Sequence, residues 1–202
     1  MTLWLAAAPL VLASRSTARR ALLEGAGISI DLCPADIDER GLEADAPDQG
    51  PGAVAALLAR EKAAAVARRT AGRLVLGADQ TLSLGKERFT KPADLAAARA
   101  QLRTLCGRTH ELHSAIAFAE NDKVLFEYVG VARLTMRKFS DRFLDAYLDA
   151  VGTAATASVG AYQIEGPGIQ LFERIDGDYF TVLGLPLVPV LDFLRRCGYL
   201  QP

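Results

Sequence analysis

The stretch LASRSTARRALLEGAG, residues 12–27, constrains this chain more than any other. An apolar run over residues 9–14 passes into a short loop of hydroxyl and basic residues. Residues 18–26 then carry a Leu-Leu helix pattern that Gly27 ends. Residues 28–33 read as a second strand. A strand that feeds a helix and then another strand commits a chain to layered α/β architecture. The join also has a chemical use. A helix amino terminus exposes unpaired N–H groups, and the hydroxyls of Ser14 and Ser16 with the guanidinium of Arg19 add donors suited to a phosphate. The same residues equally suit a plain cap by Ser16 or Thr17 with arginines in solvent, and this segment alone leaves both open. No G-x-x-x-x-G-K-[ST] motif occurs, so nothing supports a P-loop.

The pattern downstream extends the α/β reading. PADIDERGLEADAPDQG, residues 34–50, breaks all periodicity and is rich in carboxylates, as a lid or a solvated spacer would be. Pro51 opens a helix through the alanine-rich stretch that follows. RLVLGADQTLSLG predicts a strand with an acid at its end, and KPADLAAARAQLRTL a helix stopping near Gly107. Residues 110–120 and 122–136 form a hairpin about the ENDK turn. SDRFLDAYLDAVG predicts a capped helix, GIQLFERI and YFTVL a pair of strands about a Gly-Asp turn, and PLVPVLDFLRRCG a closing helix. The hairpins exclude a pure Rossmann pattern. The expected architecture is one domain over residues 1–202, with a mixed central sheet flanked by helices.

Composition narrows the function classes. A 202-residue chain of net charge −1, half hydrophobic, has enough core for one domain and lacks the basic excess of a general nucleic-acid binder. The apolar N-terminal run has no basic flank, so it reads as a buried strand rather than a leader, and no stretch approaches a membrane span. Cys33, Cys106 and Cys197 are few and far apart, which disfavours a disulfide framework or a thiolate metal site. His110 and His113 lie in a predicted strand, where an offset of three sends them to opposite faces.

The chemistry concentrates in acids and lysines. Asp79, in LGADQ, follows a small Gly-Ala pair over which a ligand can approach; its carboxylate suits a divalent cation or a proton from water. Gln80 beside it can both donate to and accept from a base edge. Glu39, Glu61, Lys62 and Lys91 complete a set of metal-binding and phosphate-contacting groups, although Glu61 and Lys62 cannot both point the same way. GAYQIEGPG carries Tyr162, Gln163 and Glu165 on a glycine-rich turn that suits a base grip and a bland turn alike.

Taken in order, LASRSTARRALLEGAGI, ADIDE, AREKA, LGADQTL, KPAD, GRTHELHSA, GAYQIEGPG and GDYFTVLGLPL resemble the Maf-like nucleoside triphosphate pyrophosphatases over nearly the whole chain. The resemblance implies an inosine-triphosphate-pyrophosphatase-like fold with two lobes around a groove, frequent homodimers and a cytoplasmic location. It also implies cleavage of a nucleoside triphosphate to its monophosphate and pyrophosphate with a divalent cation, Mg2+ or Mn2+. Carried over by position, Asp79 resembles the proton acceptor and, with Glu39, a cation ligand. Ser14, Arg19, Lys62 and Lys91 match the phosphate-contacting residues.

The chain departs from the family pattern where Thr17 replaces a proline, Ala18 an arginine and Ser158 a lysine. The pair Gln80 and Glu165 is similar to the branch named for 7-methyl-GTP. Members resembling the dTTP/UTP enzymes carry threonine and glutamine there. A carboxylate can accept from a guanine N1–H and exocyclic amine, so this pair leans towards a purine or modified guanine. The contrasting class is a non-catalytic nucleotide sensor or nucleic-acid-binding protein.

Overall fold

The computed structural model describes residues 3–44 and 50–202. In chain order the elements are β1 (Leu10–Leu12), α1 (Thr17–Gly25), β2 (Ile30–Leu32), α2 (Glu39–Ala44), α3 (Pro51–Ala67), β3 (Val75–Leu84), β4 (Glu87–Phe89) and α4 (Leu95–Leu105). They continue with β5 (Thr109–Glu120), β6 (Lys123–Met136), α5 (Asp141–Val151), three 3-10 turns between Gly152 and Leu171, β7 (Phe172–Asp176), α6 (Tyr179–Val182) and α7 (Leu187–Arg196). The strands form one mixed sheet in the order β2-β1-β3-β5-β6-β7, with β4 paired to β3. Strands β2, β1 and the start of β3 run parallel; β4 on β3 and β7 on β6 are antiparallel.

Two compact units share these strands, because β3, β5 and β6 each run from one unit into the other. The first unit holds residues 1–80, 113–130 and 178–202. Its sheet buries both faces, and strand alternation sorts the residues. Leu10, Leu12, Leu76, Ala78, Ile116 and Phe118 point to a bulky core completed by Leu23 of α1 and Val190, Phe193 and Leu194 of α7. The intervening Val11, Ala13, Val75, Ala115, Ala117 and Ala119 meet Ala55, Ala59, Ala63 and Val66 of α3. Small side chains on both partners bring this helix close to the sheet. Gly77 makes the approach possible: a Cβ there would stand 2.2 Å from the Ala59 carbonyl oxygen and 2.6 Å from the Ala63 nitrogen.

The second unit, residues 81–112 and 131–177, packs Leu82, Leu102, Leu105, Leu134, Met136, Leu144 and Tyr162 into its own core. Tyr162 donates to or accepts from His110 Nε2 at 2.7 Å, and burial lowers the His110 pKa from its ordinary value to about 4. Neither group is a surface recognition element, so Tyr162 anchors the glycine-rich turn rather than gripping a base.

Three sequence expectations of the fold change, the first being GIQLFERI, where only residues 172–175 are strand and the residues before them form a 3-10 turn from Pro167 to Leu171. YFTVL is the helix α6, not a strand, because Asp178 Oδ2 accepts from the Thr181 N–H at 2.7 Å and from its hydroxyl at 3.0 Å, capping a turn. Part of the carboxylate-rich connector is also helical, as α2. The rest of it, residues 45–49, where the lid or spacer expectation falls, lies outside the described residues.

Candidate active site

The first unit builds its site where β1 stops. The last parallel partner of β1 on β3 is Leu76, which receives the Ala13 N–H at 2.9 Å. Beyond it the next carbonyl facing that side, Ala78 O, has no strand to pair with. A buried carbonyl needs a donor, and Arg19 of α1 supplies it through Nη1 at 2.8 Å. The same Nη1 lies 3.3 Å from Ser14 Oγ, and Nε donates to Gly184 O at 2.8 Å. Burial lowers the Arg19 pKa, opposed by the charges of Asp79 and then Glu39; an arginine so placed still carries its charge. Ser16 takes the helix cap by accepting from the Arg19 N–H. Ser16 therefore takes the cap, while Ser14 and Arg19 turn inward rather than into solvent.

Asp79 lies inside the ten-residue β3, not at its end as the sequence implied. It nevertheless sits past the carboxyl end of β1, where α1 and α3 leave on opposite faces of the sheet and ligands collect in α/β proteins. Gly77 is covered by α3, so its role is helix approach rather than room for a ligand. That approach delivers Lys62, the one charge among the buried positions of α3. Its Nζ lies 2.6 Å from Asp79 Oδ1 and 3.0 Å from Glu39 Oε1 at the start of α2. The Lys62 and Asp79 side chains are only 11% and 12% exposed, whereas Glu39 is 49% exposed. Glu61, one residue earlier, does not share this burial.

Gln80 follows Asp79 and so faces the opposite side of β3. Its Nε2 donates to Ser114 Oγ at 2.9 Å, Val182 O at 3.1 Å and Thr181 O at 3.2 Å. Sequence reasoning had passed over Ser114, Thr181 and Gly184. The signal for Ser114 was a hydroxyl among the apolar positions of HSAIAFA.

Lys91 and Glu165 belong to the second unit. Both are exposed, and neither has a hydrogen bond or ion pair among the described residues. The structure thus brings together Ser14, Arg19, Glu39, Lys62 and Asp79, with Gln80 on the far face of the strand. Ser158, in the second unit, donates to Tyr162 O at 2.6 Å.

The carboxylates of Glu39 and Asp79 offer hard oxygens of the kind Mg2+ or Mn2+ takes, already converging on one positive charge. No group of three or more His, Cys, Asp or Glu side chains suited to a metal occurs among the described residues. A cation held by one or two carboxylates, with phosphates and water completing its shell, is the usual arrangement for Mg2+. The donor set fits that group.

A protein named nucleoside triphosphate pyrophosphatase from Rhodopseudomonas palustris is 60% identical over 195 residues, 96% of each chain. A protein of the same name from Bradyrhizobium diazoefficiens is 57% identical over 195 residues, again 96% of each chain. One named 7-methyl-GTP pyrophosphatase from Mesorhizobium japonicum is 54% identical over 191 residues, 94% of this chain and 96% of its own. Among solved structures, a HAM1 protein from Coxiella burnetii overlaps 63% of this chain and 72% of its own, at 21% identity and a TM-score of 0.43. The family model described as Maf-like protein matches residues 9–197, from the start of β1 through α7 and across every residue that converges on Lys62. With that span and these relatives, the chain belongs to the Maf-like family.

Proposed function

We propose that this chain hydrolyses a nucleoside triphosphate, modified or non-standard ones included, to the nucleoside monophosphate and pyrophosphate. The names of its relatives support the reading, and one observation carries it: a buried lysine held between Asp79 and Glu39, beside the inward-turned Ser14 and Arg19. Isolated buried charges are costly, and a group of them persists where something is to be bound or a proton moved.

In this reading Asp79 accepts the proton of the attacking water, with Lys62 fixing the carboxylate through the 2.6 Å bond. Arg19 and Lys62 offset the charge that gathers on the departing pyrophosphate, Ser14 donates to a phosphate oxygen, and Lys91 adds a further cation. Glu39 and Asp79 would hold the divalent cation, Mg2+ or Mn2+, whose chemistry there is to neutralise phosphate charge and acidify bound water. Arg19 binds through Nη2, since Nε and Nη1 are committed to the protein.

Separating the products of a nucleotide panel incubated with Mg2+ or Mn2+ tests the reading. Monophosphate and pyrophosphate are expected. Diphosphate with orthophosphate would overturn it, and tight binding without turnover across the panel would favour a nucleotide sensor instead.

A narrower reading, selectivity for 7-methyl-GTP, is supported by the pair Gln80 and Glu165 and by the relative so named. The exposure of Glu165 argues for the broader one. We place the activity on free nucleotides in the cytoplasm, with the chain as a homodimer. The near-neutral charge supports a small-molecule substrate over nucleic acid. Among the described residues no helix is long and apolar enough to cross a membrane.

A further inference from the structure

We infer that Gln80 meets the nucleotide as a hydrogen-bond acceptor only, because the Thr181 and Val182 carbonyls together with the Ser114 hydroxyl take both of its N–H groups; this rests on the nucleotide reading above. Ser114 is wholly buried on β5, and its hydroxyl donates to Thr181 O at 2.7 Å. With its proton committed there, Ser114 Oγ can only accept from Gln80. The amide nitrogen of Gln80 therefore faces a hydroxyl lone pair and the carbonyls of Thr181 and Val182. Turning the amide over would set Oε1 against carbonyl oxygens that cannot donate, so the network fixes which end is nitrogen. Two N–H groups already meet three acceptors, and no donor remains for a ligand.

Gln80 Oε1 has the opposite fate. It makes no hydrogen bond among the described residues and is not among their buried, partnerless atoms. It borders Gly184, whose φ of +89° suits glycine. A Cβ on Gly184 would stand 3.5 Å from Oε1 and 3.6 Å from both Nε and Nη2 of Arg19. Glycine keeps this spot clear, with an acceptor on one side and the uncommitted arginine nitrogen on the other. The chemistry that fits is a group bringing an N–H to Oε1: guanine N1–H or its exocyclic amine, or the N3–H of thymine or uracil. Polarity alone does not divide purine from pyrimidine. It separates a base edge that keeps its N–H from one where a methyl group has replaced it.

The lock is tested first without substrate. The side-chain amide protons of 15N-labelled Gln80 are expected to exchange slowly in the wild-type protein and faster in S114A, which removes one of the three acceptors. Q80E is expected to lower Tm, since it sets a carboxylate oxygen against the Thr181 and Val182 carbonyls. Fast wild-type exchange, or a Q80E protein as stable as wild type, overturns the lock whatever the enzyme turns over.

The substrate half compares kcat/KM for GTP with N1-methyl-GTP and inosine triphosphate, and for dTTP with N3-methyl-dTTP. A site built to accept an N–H rejects the analogue lacking it. At least one donor deletion is therefore expected to lower wild-type kcat/KM by about ten-fold or more, and Q80M, which keeps the length but has no acceptor, to shrink that ratio below about three-fold. Ratios within about three-fold for every pair in the wild type, or an unchanged ratio in Q80M, overturn the inference. A locked amide in a protein that releases no pyrophosphate from any substrate overturns the function reading, and the substrate half with it, while the lock stands.

Discussion

Replacing Gly77 by alanine adds one methyl group where the structure has no room for it. The new Cβ would lie 2.2 Å from Ala59 O, 2.6 Å from Ala63 N and 2.9 Å from Ala63 Cβ. Ordinary contact begins near 3.4 Å, so the helix must retreat by 3.4 − 2.2, or about 1.2 Å. The nearest two atoms are main chain and cannot rotate aside. Overpacking of this kind costs about 1–3 kcal/mol, and backbone contacts put G77A near the top of that range. For a chain of this length, about 3 kcal/mol corresponds to a fall in Tm of about 6–12 °C. The same retreat draws Lys62 away from Asp79, and a misplacement of about 1 Å at a reacting group costs about a hundred-fold in rate. Thermal unfolding and the rate of pyrophosphate release are the two assays. A second variant sharpens them: A63G removes the Ala63 Cβ but neither main-chain atom, so the G77A/A63G pair should stay impaired. Wild-type stability and rate in G77A, or full rescue by A63G, would refute the argument that main-chain approach at Gly77 sets the site.

Three other outcomes follow from named contacts. K62A removes the ammonium that Asp79 and Glu39 share and leaves the mostly buried Asp79 unpaired, so it should lose about 3–5 kcal/mol of stability as well as turnover; denaturant titration at pH 7 checks this. His110 has its pKa lowered to about 4 by burial. The unfolded chain thus binds its proton more readily, and this stability is complete above pH ~6.5 and lost as pH falls towards 4. The span of about 2.5 pH units amounts to about 3 kcal/mol, and the difference between wild type and a H110L/Y162F pair across pH 7 to 4 should show that slope. E165Q changes an exposed side chain with no partner among the described residues, so kcat/KM for GTP should stay within about three-fold of wild type; a larger loss would place Glu165 against the substrate.

The sequence carried the layered architecture because its punctuation was local: Gly27 after α1, Pro51 at the start of α3 and Asp94 capping α4 each sit where a helix must start or stop. It misassigned YFTVL because tyrosine, phenylalanine, threonine and valine favour strands, and a single Asp178 cap outweighed that preference. The six-residue α2 was too short to show a period. For the site, residue chemistry and motif order together singled out Asp79, Lys62, Glu39, Ser14 and Arg19, and with them Gln80, Lys91 and Glu165, of which the last two stand exposed in the second unit. Their pairing was not legible: Lys62 and Asp79 are 17 residues apart, and only the alanine face of α3 against the sheet decides that Lys62, and not Glu61, turns inward. The role of Gly77 was read as room for a ligand because a sequence does not say what lies above a glycine. Gln80 was credited with a donor that the folded chain uses internally, through a serine 34 residues away.

In the proposed reaction the Asp79 carboxylate, held by Lys62, takes the proton of water as pyrophosphate is released. D79N tests it most directly, because asparagine keeps the shape and an acceptor for the Lys62 ammonium while removing the base. Pyrophosphate release from GTP should be followed in D79N and wild type at equal nucleotide and Mg2+, with Tm recorded for both. A general base contributes about a hundred- to ten-thousand-fold, so a loss of at least that size in kcat is expected from D79N protein still folded at the assay temperature, with its Tm lowered by loss of the ion pair between Lys62 and Asp79. A folded D79N protein that releases pyrophosphate within about ten-fold of the wild-type rate would contradict it.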